Sequence, residues 1–297
     1  MTFAQIQGNA DVCRGLAGMV SSGRIPHAIL LHEDDGGGAM PVVLAFLQYL
    51  YCGNRTEADS CDSCPSCNKI SKLIHPDVHF VFPTNAPNLS QSYSSQWRDL
   101  VLSKPCFTEA DLAQALGIEG KSSIIAVAEA RAILDTLSLS ALEGGYRAVV
   151  IYLPEKMNQE AANRLLKMIE EPPAMTQFLL VCHSPEKVLQ TIASRCQCIR
   201  IRPQRRDERI GTEESESVYK DLFGQLMTAF GRHDLLDALE LGEALSALPS
   251  RESAKGFCRY AAARMRQIFL LQQGLGELAS PDGETAAWAS SVRKTFP

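Results

Sequence analysis

Four cysteines in one short stretch carry the strongest chemical signal in the chain. Cys52, Cys61, Cys64 and Cys67 stand at C-x8-C-x2-C-x2-C in "CGNRTEADSCDSCPSC". Two-residue gaps let thiolates converge on one tetrahedral ion, and zinc prefers such sulfur ligands. A disulfide pair suits a secreted chain better. A redox C-x-x-C leaves no clear resolving partner among three interlocked cysteines. A four-thiolate zinc site has no open coordination position, so its expected role is structural. The other six cysteines (Cys13, Cys106, Cys182, Cys196, Cys198 and Cys258) are scattered and read mostly as small buried hydrophobes.

A second candidate is "EDDGGGAM", residues 33–40, set between the apolar runs "AILLH" and "VVLAFLQYL". Strand, glycine-rich turn and helix in that order is the layout of a phosphate-binding loop. Yet this turn holds three carboxylates and no lysine.

The elements that must carry these groups alternate. "AILL" (28–31), "DVHFVFP" (77–83), "YRAVVIYL" (146–153), "TQFLLVCH" (176–183) and "CQCIRI" (196–201) read as strands. "PVVLAFLQYLYC" (41–52), "QEAANRLLKMIEE" (159–171) and "EKVLQTIASR" (186–195) read as helices, the second stopped by Pro172 and Pro173. Strands separated by helices imply an α/β domain over 1–203, with a mostly parallel sheet covered on both faces. "RPQRRDERIGTEESESV" (202–218) has no core pattern and reads as a solvated linker, although Arg200, Arg202, Arg205, Arg206 and Arg209 cluster there. Beyond it Val218, Leu222, Leu226 and Phe230 fall at i, i+4 spacing, the start of an all-α domain over 217–297.

The bulk composition narrows the function classes. Of 297 residues, 45% are hydrophobic and 21% charged, which suits packed cores rather than disorder. A net charge of −5 argues against a surface that binds polyanions as a whole. No apolar run has membrane-spanning length, and "MTFAQIQGNADVC" lacks a basic start followed by an apolar core. A soluble cytoplasmic protein is the expectation.

The order of motifs points to a family. "IPHAILLH" leads into the glycine-rich loop; the four-cysteine insert follows, then "HPDVHFVFP", "AANRLLKMIEEPP" and "FLLVCHSPEKVLQTIASRC". Over residues 5–203 this series resembles the bacterial DNA polymerase III clamp-loader subunits, which are AAA+ proteins. The helical remainder resembles their collar domain more loosely. The resemblance implies a P-loop-type parallel sheet, with a zinc module at 52–67 and a collar-like helical domain after a linker or reduced lid at 204–216. Such subunits normally carry a three-helix lid, and about fifteen residues are too few for one. Either the lid is lost or segments are absent from this sequence.

The family has motor members (gamma/tau) that hydrolyse ATP and a member that keeps the fold, usually without hydrolysing. A working loop needs G-x-x-x-x-G-K-[ST]: glycines for close approach of backbone N–H groups to phosphate, lysine for the β/γ oxygens, Ser/Thr for magnesium. Counted back from Cys52, Glu33 takes the first glycine's place, Gly38 is kept, Ala39 stands for lysine and Met40 for Ser/Thr. Asp34 and Asp35 add charge that opposes a triphosphate. The motors' Asp-Glu pair, placed by Asn163, falls on Tyr152 and Leu153, which can neither ligate magnesium nor activate water. Glu155 is an acid two residues off, and the sensor position falls on His183 or Ser184. The expectation is therefore a degenerate site with no ATP on this chain.

"SRC" is intact as Ser194, Arg195 and Cys196. Sequence position alone leaves Arg195 equally open to capping its own helix. The resemblance implies a finger offered to the neighbouring subunit's ATP, where a guanidinium stabilises charge on the transferred phosphoryl. The implied partners are gamma/tau motor subunits and a delta subunit. A sliding clamp and primed DNA would be met through the assembled, nucleoid-associated ring. The rival expectations are an active clamp-loading ATPase and a stand-alone zinc-ribbon nucleic-acid binder.

Overall fold

The computed structural model describes residues 1–6, 8–138, 140–202, 213–232, 235–248, 251–275 and 283–291. Two compact units divide the chain, Met1–Arg205 and Arg206–Pro297.

In the first unit five strands form one parallel sheet. They are β1 (Ala28–His32), β2 (Val78–Val81), β3 (Arg147–Tyr152), β4 (Thr176–Cys182) and β5 (Gln197–Arg200), in the order β2-β3-β4-β1-β5. The helices are α1 (Ala10–Ser21), α2 (Ala39–Tyr51), α3 (Pro65–Ser71), α4 (Ser94–Ser103), α5 (Glu109–Ala115), α6 (Val127–Ser138), α7 (Gln159–Glu170) and α8 (Gln190–Ala193).

Side chains on a strand alternate between faces, and this fixes what each face meets. Ile29, Leu31, Ala148, Val150, Tyr152, Leu179 and Val181 pack with α1, α2 and α4. Ala28, Leu30, Val149, Ile151, Phe178, Leu180 and Cys182 pack with α6 and α7. Both faces are covered, so the central strands are apolar throughout, as buried parallel strands are. Every residue of α2 from Ala39 to Leu50 is buried, which suits a helix that is apolar all round. Helix α7 is instead one-sided: Ala161, Ala162, Leu165 and Ile169 face the sheet, and Asn158 caps it by accepting from Ala161 N–H at 2.8 Å.

Three expectations change. The helix expected over 186–195 is a single 3-10 turn at Pro185–Lys187, extended backbone at Val188 and Leu189, then the short α8; this lets Val188 and Ile192 both reach the core. The loop-to-helix boundary lies at Ala39 rather than Pro41, so the glycines end where helical hydrogen bonding begins. Cys198 and Cys258 are exposed, so the buried-hydrophobe reading does not extend to them.

The second unit is helical: α9 (Glu213–Arg232), α10 (Leu235–Ser246), α11 (Arg251–Gln272) and α12 (Gly283–Ser291). Its core keeps Leu222 and Leu226 of the expected seam but not Val218. Val218 is exposed, while Tyr219, Leu222, Phe223 and Met227 are buried with Phe257 and Tyr260 of α11. The aromatic rings take the packed face: Tyr219 and Phe223 meet Tyr260 at centroid distances of 6.1 and 6.0 Å. Most of the expected linker, with Arg205, Arg206 and Arg209, and the side chain of Phe230 lie outside the described residues. Among the described residues no helix is long and apolar enough to cross a membrane.

Candidate functional site

The loop between β1 and α2 lies at the carboxyl end of the sheet, between β4 and β5, where an open parallel sheet offers its ligand crevice. Gly36 and Gly38 take positive φ of 74° and 100°. A Cβ on Gly37 would stand 2.7 Å from the Asp34 carbonyl oxygen and 3.1 Å from Glu33 Oε2. The glycines are therefore needed for the turn itself.

Glu33 fills the turn from inside. Its side chain is buried, and Oε2 accepts from the Ala39 N–H at 2.6 Å, at the first turn of α2. A helix N-terminus attracts anions through its unpaired N–H groups and its dipole. Here the anion belongs to the chain. Ala39 and Met40, at the expected lysine and hydroxyl positions, are buried in the apolar core.

His183 closes the crevice from β4. Register pairs His32 with Cys182, so Glu33 and His183 are the next residues on adjacent strands. His183 Nε2 lies 3.7 Å from Glu33 Oε1, and Nδ1 lies 3.6 Å from Asp35 Oδ1. Burial pulls the imidazole pKa down, but hydrogen bonding to the Glu33 carboxylate and the charges of Asp35, Glu33 and Glu155 outweigh it, so His183 titrates above its ordinary value. Asp35 also accepts from Glu109 N–H at 2.8 Å, and Glu109 pairs with Lys156.

Tyr152 and Leu153, at the positions expected for the second acidic motif, are both buried. Tyr152 is buried against Phe107 and Trp97, at centroid distances of 4.9 and 5.9 Å, and its hydroxyl lies 3.3 Å from His183 Nε2. Burial and the charges of Glu33, Asp35, Glu109 and Glu155 hold its phenol neutral, so it is no base. Leu153 is buried, with φ of 58°. Glu155 turns to the end of β4, where Oε1 accepts from the N–H groups of His183 and Ser184 at 2.8 and 3.1 Å. Sequence reasoning gave His183 only a sensor position. A buried carboxylate at Glu33, followed by two exposed ones, calls for a facing cation, and the acidic run could have pointed to that role.

Arg195 follows α8, half-exposed. Nη1 donates to the Thr191 carbonyl at 2.9 Å and approaches Ser194 Oγ at 3.4 Å, while Nη2 lies 2.6 Å from Glu170 Oε1. The cap contact is thus made, and Glu170 is a partner the sequence did not suggest. Burial pushes the Cys196 thiol to about 12, which makes it packing rather than a nucleophile.

The four cysteines converge. Their Sγ atoms all lie within 4.8 Å of one another, with Cys52–Cys61 at 3.5 Å and Cys61–Cys67 at 4.0 Å. Cys52 ends α2, Cys64 precedes α3 and Cys67 sits within it. Four sulfurs about 2.3 Å from one zinc ion would stand about 3.8 Å apart, so the spacing fits a tetrahedral ion. Cys61 N–H points to Cys52 Sγ at 3.3 Å and Cys64 N–H to Cys61 Sγ at 3.4 Å, donors that favour thiolates. Backbone N–H groups of Ser63 and Cys64 hold the Cys61 thiol down to about 6, while burial pushes Cys67 up.

Comparison with known proteins follows the same segments. The family described as "DNA polymerase III, delta subunit" matches residues 8–205. The DNA polymerase III subunit delta-prime of Yersinia pestis is 35% identical over 185 residues, covering 62% of this chain and 44% of that protein. The DNA polymerase III subunit tau of Salmonella typhimurium is 27% identical over 195 residues, covering 66% of this chain and 24% of that protein. The match thus spans less than half the length of either relative. Among solved structures, a DNA polymerase III gamma subunit-related protein from Thermotoga maritima aligns over 94% of this chain and 89% of its own, with 16% identity and a TM-score of 0.38.

Proposed function

The chain belongs to the DNA polymerase III delta-subunit family, among its delta-prime members, and from that membership we propose that it is the non-hydrolysing stator of a clamp loader. Its partners are gamma/tau motor subunits and a delta subunit. The assembled cytoplasmic, nucleoid-associated complex places a sliding clamp on primed DNA.

The observation that carries the silent role is the Glu33 carboxylate bonded to the mouth of α2. A phosphate arriving there would meet Glu33, Asp34 and Asp35 with no lysine among the loop residues. It would also have to displace a buried charge-assisted hydrogen bond. Neutral Tyr152 supports the same reading, because no carboxylate stands there to hold magnesium. The chain's chemical contribution is then Arg195, lent to the ATP of a neighbouring motor subunit; its half-exposed guanidinium supports that assignment. Zinc held by Cys52, Cys61, Cys64 and Cys67 would supply a closed cross-link between α2 and α3.

The test is a titration of the full chain with ATP, beside co-purification with the motor and delta subunits. No saturable ATP binding and a stable complex are expected. ATP hydrolysis by this chain alone would overturn the silent role, and failure to form the complex would overturn the stator role.

A further inference from the structure

Glu170 and Arg195 come from elements of very different rigidity. Glu170 is the last residue of α7, a twelve-residue helix whose Ala161, Ala162, Leu165 and Ile169 are buried against the sheet. Arg195 follows the four-residue α8. An arginine on so short an element has no helix of its own to fix its direction, and its long side chain has many rotamers to lose. The Glu170 carboxylate removes most of that freedom: Oε1 lies 2.6 Å from Nη2, while the Thr191 carbonyl holds Nη1 at 2.9 Å.

The guanidinium is thereby gripped through both terminal nitrogens, one from a rigid helix and one from its own turn. It carries five N–H donors in a planar fork, and Glu170, the Thr191 carbonyl and Ser194 Oγ do not take all of them. The side chain remains 39% exposed. Pre-set donors lower a barrier more than donors that must be ordered at the moment of reaction.

We propose that Glu170 is a positioning residue for Arg195: it holds the guanidinium at the subunit surface, oriented toward a phosphoryl group on the neighbouring chain. The inference rests on the reading of Arg195 as a finger acting in trans. Glu170 does not touch the nucleotide. It acts through Arg195, and therefore affects turnover rather than nucleotide affinity.

The experiment uses the ring reconstituted from full-length subunits, with this chain as wild type, Arg195→Ala, Glu170→Ala, Glu170→Gln and the double alanine variant. Steady-state ATP hydrolysis gives kcat and KM, and gel filtration checks assembly. Arg195→Ala should lower kcat strongly. Glu170→Ala should lower it by about two- to fivefold, the range of an exposed ion pair. KM for ATP and assembly should be unchanged. Glu170→Gln, which keeps an acceptor, should recover part of the loss. The double variant should be no slower than Arg195→Ala alone. An unchanged or raised kcat in Glu170→Ala, loss of ring assembly, or a further drop in the double variant would overturn the role of Glu170 while leaving the arginine reading in place. An unchanged kcat in Arg195→Ala would overturn the finger reading, and with it this inference.

Discussion

The Glu33 carboxylate accepts a hydrogen bond from the Ala39 N–H at 2.6 Å, across the turn that joins β1 to α2. The loop is therefore a closed structural joint. Glu33→Ala leaves a buried N–H without its partner and should cost about 1–3 kcal/mol. Glu33→Gln keeps an acceptor and should cost less. Urea unfolding of the three proteins checks the order, and equal midpoints would show that the bond does not hold the turn.

His183 gives the joint a pH dependence. It faces Glu33 and Asp35 of the loop, Tyr152 of β3 and Glu155 beyond it. Its pKa in the fold lies above the ordinary value of about 6.5. The folded state thus binds the proton more tightly than the unfolded one. The stabilisation is complete below about pH 6.5 and is lost as pH rises through the raised value. His183→Gln should flatten that slope in denaturant midpoints measured across the range. A slope unchanged by the substitution would assign it to other groups.

Tyr152 stands at the position where resemblance to the motor subunits would place an acid, and its packed surroundings do not suit one. Tyr152→Asp would place a carboxylate among Trp97, Phe107 and the acidic groups that already hold the phenol neutral. Lost aromatic packing and buried like charge together should destabilise the fold by on the order of 3–5 kcal/mol, and no ATP hydrolysis should appear. Thermal melts and a phosphate-release assay read the two outcomes.

The cysteine cluster should bind one zinc per chain. A strong chelator or Cys67→Ala should remove it, lowering stability by on the order of several kcal/mol, because α3 is too short to persist unaided. Metal analysis beside a melt checks this. A zinc-free chain with an unchanged melt would refute the cross-link.

Much of this was legible locally. The apolar runs of β1, β3 and β4 announce buried parallel strands, and the cysteine spacing announces convergence, because both depend on short stretches. The Glu33–His183 and Arg195–Glu170 couples do not. Each joins residues far apart in the chain, and each exists only once strand register and the turn after α7 are set. The same holds for Val218, whose spacing suited the seam until Tyr219 and Phe223 claimed the packed face.

The depth at which Ala39 and Met40 are buried also bears on what the loop could be changed into. A lysine at 39 would enter a fully packed position whose own amide is already held by the Glu33 carboxylate, and would cost stability. Removing Glu33 first would loosen the turn and still leave Asp34 and Asp35 to repel phosphate. Each single substitution toward a phosphate-binding loop is thus penalised in the fold before the others are in place. On the proposed stator reading, the acidic turn makes the silent state hard to reverse, because a phosphate-binding loop would require several changes at once.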